Sequence, residues 1–301
     1  MTREKLAGHA AAAGAYLIFG FNILVCKELT SSNYISPFGI FLLRSIGAGA
    51  LFWLISLFMP KEHVPKKDLV SIFIAAIFGF FLTQITFLVA IAQITPLEGS
   101  VLGALTPVYT MIIAAIAVHE PITGKKAGGV ALSLSGVLYL IFTSISGGFG
   151  SSDVWGLVIM IGNALFFAIY LGVFRPLISR YSVVTFMKWI FLFSTIMALP
   201  FGVPAMMEVD FEALPSRWIM ELSYLIVMAT FVAYYLIPFG QQRIRPTLVS
   251  MYSYIQPIVA IGISISMGLE KLTVTKVIAT VMVFTGVWLV SRSRAAKSHK
   301  H

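Results

Sequence analysis

A small set of polar and aromatic side chains lies inside long uncharged stretches of the sequence, where such groups could bind a solute. Within a membrane, polar groups that face lipid are costly, so we expect them to face other helices or a water-filled cavity. The chemistry they offer is hydrogen bonding and ring contact with a small molecule. The candidate substrate-binding residues are Asn22, Arg44, Gln84, Thr106, Asn163, Phe167, Tyr170, Lys188, Tyr234, Tyr252 and Gln256.

Most of these candidates are selected by their spacing. Three pairs recur along the chain, namely Asn22 with Tyr170 at a spacing of 148 residues, and Gln84 with Tyr234 and Thr106 with Gln256 at 150. Tyr252 lies one helical turn before Gln256, and Phe167 lies one turn from Asn163, so each of these pairs shares a helix face. Interhelical hydrogen bonding remains the alternative role for any one of these residues.

Two basic residues fall inside uncharged stretches, and each has two interpretations. Arg44 and Lys188 could extend toward the membrane surface or hold a carbonyl of a neighbouring helix. If both instead point inward, the cavity is electropositive and favours a substrate that bears a carboxylate or phosphate.

The sequence lacks the motifs of the common enzyme classes. Cys26 is the single cysteine, no Cys/His cluster offers a metal site, and there is no nucleophile elbow, Walker A sequence or zinc-protease motif. We therefore expect no catalytic residue, cofactor or metal. The twelve Asp and Glu residues lie in tails, loops or helix ends, so we also expect transport without an obligatory proton-binding carboxylate.

The elements that carry these residues are membrane-spanning helices. Of the 301 residues 58% are hydrophobic and only 11% charged, against roughly a quarter charged in a soluble domain. A spanning helix takes about 20 residues. Uncharged stretches predict an all-α membrane protein with ten helices, approximately Gly8–Lys27, Pro37–Met59, Asp68–Ala92, Leu97–Val118, Ala127–Ile145, Val154–Phe174, Val183–Gly202, Arg217–Phe239, Pro246–Gly268 and Val274–Val290.

The loops alternate in charge. Most of the 21 Lys and Arg residues fall in the tails and in every second loop, and the positive-inside rule places this side in the cytoplasm. We therefore predict a multi-pass inner-membrane protein with both termini cytoplasmic. The basic tail after Ser291 indicates an anchor to anionic lipid rather than a nucleic-acid site, and the working expectation is a monomer.

The chain contains an internal repeat. Thr106-Pro107 through Glu120 matches Gln256-Pro257 through Glu270 at a spacing of 150 residues. The repeat divides the chain into a first five-helix unit at 1–150 and a second at 151–301. Because five is odd, the units must enter the membrane in opposite orientations, and inverted repeats of this kind are typical of secondary transporters that work by alternating access.

Each unit places a proline near the middle of its fourth helix. A proline inside a helix removes one backbone hydrogen bond and kinks or loosens the helix. The symmetric placement of Pro107 and Pro257 favours hinges or cavity-lining breaks over fixed packing kinks, although the latter interpretation stays open.

The ensemble of these features resembles the drug/metabolite transporter superfamily, EamA type. The shared features are two five-helix units, a mid-helix proline followed 13 residues later by Glu120 or Glu270, and a glycine in each final helix, Gly136 and Gly286. Arg44 looks like the arginine often found in the second helix of such a unit. The resemblance implies an inner-membrane carrier with a central cavity, often an exporter of amino acids, other metabolites or toxic compounds.

Other functions remain to be separated by experiment. Within transport, the alternative is an importer of the same fold, for example of a vitamin or sugar derivative. Outside it, a membrane-embedded lipid-modifying enzyme should show paired acidic residues able to hold Mg²⁺ at a membrane surface, and the cytoplasmic loops contain none. A channel would show single-channel current in bilayers.

Overall fold

A computed structural model describes residues 3–32, 34–118, 124–146, 153–212, 214–266 and 273–292. All regular secondary structure in these residues is helical, as the sequence predicts. The helices are α1 (Arg3–Ser31), α2 (Pro37–Ser56), α3 (Lys66–Gln93), α4 (Pro96–Gly103), α5 (Thr106–Val118), α6 (Gly124–Ser146), α7 (Val154–Val173), α8 (Arg175–Ile178), α9 (Val183–Met207), α10 (Ser216–Arg243), α11 (Pro246–Met251), α12 (Ile255–Ser266) and α13 (Val274–Arg292).

Six of the described helices, α1, α2, α3, α7, α9 and α10, are long and apolar enough to cross a membrane. Shorter apolar stretches run over Ala127–Tyr139 in α6 and Val277–Gly286 in α13. Large apolar side chains such as Leu138 and Ile258 stay 65% and 68% exposed, which suits contact with lipid. The chain is therefore a multi-pass helical membrane protein, whereas the count of ten spans stays a prediction.

Local sequence signals explain where several helices begin. Ser36 accepts a hydrogen bond from the Gly39 amide at the start of α2, where Pro37 occupies the first turn, and Ser182 caps α9 in the same way. Thr95 and Glu98 form a reciprocal capping box that starts α4. These side chains satisfy amides that a helix leaves unpaired at its first turn, so short polar connections suffice between long apolar helices.

The two proline-containing segments are each divided into two helices. Residues 104 and 105 separate α4 from α5, and a 3₁₀ turn over Tyr252–Tyr254 separates α11 from α12. Pro107 cannot donate a backbone hydrogen bond to the carbonyl four residues earlier, and the Thr106 hydroxyl donates to that Gly103 carbonyl instead at 2.8 Å. The breaks therefore lie at equivalent places in the two halves.

Two other helices carry a wide π turn at equivalent places. The turn spans Ile77–Phe81 in α3 and Leu225–Val232 in α10. In both, a threonine hydroxyl donates to the carbonyl five residues earlier, Thr83 to Phe78 and Thr230 to Leu225. A π turn re-aims the side chains that follow it and is frequent at functional sites.

The packing pattern repeats when the two halves are exchanged. Helix α1 packs on α10, and α7, the counterpart of α1, packs on α3, while α2 packs on α9 and α6 on α13. Gly8 of α1 lies against Ile244, and Gly156 of α7 lies against Ile94 in the same relation. The sequence repeat is therefore also a repeat of helix contacts.

A substitution at Gly286 would test the close packing of α6 against α13. A Cβ added at Gly286 would lie 2.5 Å from the Gly129 carbonyl oxygen, so Gly286→Ala should lower the free energy of unfolding by about 1–3 kcal/mol through overpacking. Gly128 of the same helix pair has no atom within 4 Å of an added Cβ. Gly128→Ala should leave the melting temperature in detergent unchanged or raised, and equal melting of both variants would contradict the packing.

Candidate functional site

A central cavity lies where helices of both halves converge. About 70 Å³ of it is open to the centre of a water molecule, which holds roughly five waters, so a larger solute requires the surrounding helices to move apart. The described residues that line it are Tyr16, Phe19, Asn22, Ile23, Thr83, Gln84, Phe87, Gly99, Gly103, Thr106, Met160, Asn163, Phe167, Tyr234, Ser253 and Gln256.

The lining follows the repeat. Seven of the sequence-predicted residues are brought together there: Asn22, Gln84, Thr106, Asn163, Phe167, Tyr234 and Gln256. Four pairs of repeat-equivalent positions face the same space, namely Phe19 with Phe167, Gln84 with Tyr234, Gly103 with Ser253 and Thr106 with Gln256. Equivalent positions of the two halves therefore line one cavity.

One symmetric pair makes direct contact across the cavity. The Gln84 amide nitrogen donates to the Tyr234 hydroxyl at 2.5 Å, and both residues follow closely on the π turns of α3 and α10. Phe80 and Phe19 pack edge-on against the Tyr234 ring. This pair joins the two halves at the middle of the fold.

Some polar side chains that line the cavity are already hydrogen-bonded within the protein. Asn163 of α7 donates its amide to the Thr83 carbonyl and, at 3.2 Å, to the Thr86 hydroxyl, next to the π turn of α3. The Thr106 hydroxyl donates to Gly103 at the α4–α5 break. These two side chains therefore hold the irregular backbone as well as facing the cavity.

Three lining residues keep polar atoms without a partner in the described structure. The Tyr16 hydroxyl, the Gln84 side-chain carbonyl oxygen and the Ser253 hydroxyl are buried and make no hydrogen bond. Buried polar atoms are nearly always paired, and an unpaired one costs about 1–3 kcal/mol. All three residues border the cavity. The unpaired atoms themselves are covered by neighbouring atoms, so a bound solute can satisfy them once these side chains turn toward it.

Arg44 does not line the cavity but lies directly behind its lining, fully buried in α2. Its guanidinium donates to the Cys26 sulfur at 3.6 Å, and the Cys26 thiol donates to the lining residue Asn22 at 3.4 Å. The guanidinium also donates to the Thr230 hydroxyl at 2.8 Å and to the Ala229 carbonyl at 3.5 Å. No acidic residue in the described part of the chain forms an ion pair with it. Arg44 therefore holds the π turn of α10, the role that Asn163 has for α3.

Three further candidates also lie off the cavity. Lys188 sits over the Trp53 ring with its ammonium 5.0 Å from the ring centre. Tyr170 is buried against Phe167 and occupies the space beside Gly79. Tyr252 is hydrogen-bonded to His9 at 2.8 Å. Neither Arg44 nor Lys188 is among the residues that line the cavity.

The two prolines flank the cavity without lining it. Pro107 is the second residue of α5, and Pro257 is the third of α12. The residues that precede them, Thr106 and Gln256, face the cavity. Each proline thus marks a helix break, and a hinge role for them remains a proposal.

Sequence reasoning missed several lining residues, of which Tyr16 and Ser253 matter most. Ser253 could have been found as the repeat partner of Gly103, because the spacing of 150 residues applies to both. Tyr16 corresponds to Ala164, which carries no polar group. The repeat therefore offered no signal for Tyr16.

Polar contacts link the halves at one end of the bundle, which we call the Glu62 end. Tyr181 donates to the Asp68 carboxylate at 2.5 Å, and Arg180 lies 3.4 Å from it. The backbone amide of Ser182 donates to Glu62 at 3.0 Å. Desolvation and the Asp68 carboxylate raise the pKa of Tyr181 to about 12, so this hydroxyl stays protonated at neutral pH.

A related set of contacts lies at the opposite end, the Glu28 end. Arg217 at the start of α10 bonds Glu28 of α1 at 2.5 Å and Glu221 at 2.7 Å. It joins α1 to α10 as the Asp68 contacts join α3 to the segment after α7. Polar contacts therefore join the halves at both ends.

The profile of the EamA-like transporter family matches the chain twice, over residues 6–142 and 154–292. An uncharacterized transporter of Archaeoglobus fulgidus is 23% identical over 88% of this chain and 92% of its own length. The uncharacterized transporter YetK of Bacillus subtilis is 24% identical over 88% and 80%. The uncharacterized inner membrane transporter YhbE of Escherichia coli is 24% identical over 64% and 60%.

A solved protein structure aligns with 94% of this chain and 95% of its own length at a TM-score of 0.67 and 17% sequence identity, which shows a shared fold. The resemblance drawn from the repeat and its prolines is confirmed, because the family profile covers both halves. With its membrane-length helices and transporter relatives, this chain is a multi-pass membrane transporter that belongs to the EamA-like transporter family.

Proposed function

We propose that the protein is a secondary carrier that moves small metabolites across the inner membrane by alternating access. The observation that carries the proposal is a central cavity lined by four pairs of equivalent residues from both halves. In a carrier built from inverted repeats, exchanging the conformations of the halves turns an inward-open cavity into an outward-open one. Amino acids are the first substrate class to test, with export as the direction.

The proposal includes the arrangement of the chain. Its two units, 1–150 and 151–301, form ten spans in opposite orientations, and both termini lie in the cytoplasm. The Glu62 end then faces the cytoplasm and the Glu28 end faces outward, in line with the positive-inside rule. A monomer suffices because both halves of the cavity come from one chain.

The polar links at the two ends supply a gating scheme. Both links are formed in this structure. Opening the Glu62 end separates α3 from the segment after α7, and opening the Glu28 end separates α1 from α10. A solute crosses when the two links open in alternation.

The experiment is solute counterflow in proteoliposomes with variants of the symmetric pair. Gln84→Ala and Tyr234→Phe each remove one partner of a cavity hydrogen bond, so we expect both to weaken substrate affinity several-fold. Loss of a neutral hydrogen bond costs only about 1 kcal/mol, so the melting temperatures should stay close to that of the native chain.

Matched controls lie nearby, off the cavity. Gln93 bonds its own helix and Tyr235 packs on Phe239, so Gln93→Ala and Tyr235→Phe should leave counterflow unchanged. Native kinetics in both cavity variants would remove the pair from the site. No solute movement by the folded native chain would count against a carrier of amino acids.

A further inference from the structure

We infer that the cavity selects solutes that carry no net charge, with hydrogen-bonding groups at one end and a compact apolar part at the other. The inference rests on the proposed carrier function and names its substrate class. It includes zwitterionic solutes, whose charges cancel, and excludes solutes with a net positive or negative charge.

The first argument is the absence of charge at the site. None of the described lining residues is ionised at neutral pH. The two cations at membrane depth are engaged elsewhere, Arg44 with the π turn of α10 and Lys188 with Trp53. An ion moved from water into such a site loses its hydration without gaining a counter-charge, which is costly.

The buried carboxylate nearest in sequence to the lining does not change this conclusion. Glu98 precedes the lining residue Gly99 and is 2% exposed. Its carboxylate accepts the Thr95 amide at 3.0 Å in the capping box of α4. Because this carboxylate completes the helix start, it serves the fold, and Glu98 is not among the lining residues.

The second argument is the set of unpartnered polar atoms. The Gln84 carbonyl oxygen can only accept a hydrogen bond, so it requires a donor on the solute. The hydroxyls of Tyr16 and Ser253 can both donate and accept. A solute head that contains a donor beside an acceptor satisfies all three atoms, and the ammonium and carboxylate of a zwitterion meet that description.

The third argument is the apolar wall. Phe19, Phe87, Phe167 and Met160 face the same space, so the remainder of the solute is favoured when it is apolar. A charged side chain there would contact rings and a thioether. Because such a solute has no net charge and no lining group titrates, its transport moves no net charge across the membrane.

The test compares solutes of similar size that differ in charge, using counterflow and thermal shift on the full chain. The pairs are norleucine against lysine and glutamine against glutamate. We expect the uncharged member of each pair to exchange at least ten-fold faster, with no dependence on an imposed membrane potential. Lysine or glutamate moving as fast as its partner would overturn the inference while leaving the carrier function standing.

Failure of the carrier function has a different signature. If none of the four solutes moves or raises the melting temperature of the folded protein, the protein is not a carrier of amino acids and the inference falls with that assignment. The isosteric variant Gln256→Glu adds an anion to the lining. At pH 8 it should raise the lysine-to-norleucine rate ratio about ten-fold, and an unchanged ratio in a folded, transporting variant would contradict a charge-selective cavity.

Discussion

Replacing Gly103 by phenylalanine should abolish transport while leaving the protein folded. Gly103 faces the cavity, and an added Cβ would lie 3.5 Å from the Gln256 side-chain oxygen, an ordinary contact. A larger side chain must therefore extend into the small space that the solute would occupy. We expect counterflow to fall at least 100-fold, a loss of about 3 kcal/mol in transition-state stabilisation, with a melting temperature near that of the native chain.

The control is Gly262→Phe on α12. Gly262 is exposed and has no atom within 4 Å of an added Cβ, so its phenylalanine should reach lipid and leave transport intact. Native counterflow in a folded Gly103→Phe protein would show that the solute does not pass through this cavity.

Arg44→Ala should produce the largest loss of stability among the single substitutions considered. It removes two charge-assisted hydrogen bonds to the π turn of α10 and leaves a space in a fully buried site. Hydrogen bonds to charged groups contribute about 1.5–3 kcal/mol each, so we expect unfolding to be easier by at least about 2 kcal/mol. Tyr234 follows this turn closely, so substrate affinity should fall as well.

Two further variants separate charge from position. Arg44→Lys keeps the charge and one donor but cannot reproduce the fork of the guanidinium, so it should melt between the native chain and Arg44→Ala. The exposed Arg245 serves as control, and Arg245→Ala should melt like the native chain. Native stability of Arg44→Ala would remove the assigned role of Arg44 at the π turn.

The all-helical class could be predicted from the sequence because the hydrophobic runs are long and the charges lie between them. The duplication could be predicted because prolines and glycines recur at one spacing. The helix breaks were anticipated only as prolines inside helices. Their form depends on how the freed carbonyls are satisfied. The Thr106 hydroxyl that bonds Gly103 three residues earlier is a detail of local geometry that no sequence pattern predicts.

In the candidate site too, the pairs related by the repeat could be predicted from the sequence, whereas the local backbone geometry could not. The repeat spacing pairs Gln84 with Tyr234 and Thr106 with Gln256, and all four residues line one cavity. An α-helical spacing predicts that Tyr252 shares a helix face with Gln256, but the chain forms a 3₁₀ turn there. With about three residues per turn, Ser253 shares the side of Gln256, and Tyr252 turns toward His9.

The two basic residues within helices, Arg44 and Lys188, show that a charge in the sequence does not identify its partner in the fold. Both satisfy the expectation that a membrane-depth cation finds a partner, but the partner could not be chosen from the sequence. For Arg44 it is a carbonyl and a hydroxyl on a distant helix. For Lys188 it is the Trp53 ring. Neither the π turn of α10 nor the position of the Trp53 ring can be recognised from a pattern in the sequence.

The central claim is that two equivalent units cross the membrane in opposite directions. Lys61 and Phe211 occupy equivalent positions, 150 residues apart, and both are exposed. In a Cys26→Ser background, single cysteines at these positions should react with a membrane-impermeant maleimide on opposite faces. We predict that the cysteine at position 211 is labelled in intact cells and the one at 61 only after permeabilisation, whereas labelling of both from the same side would contradict the inverted repeat.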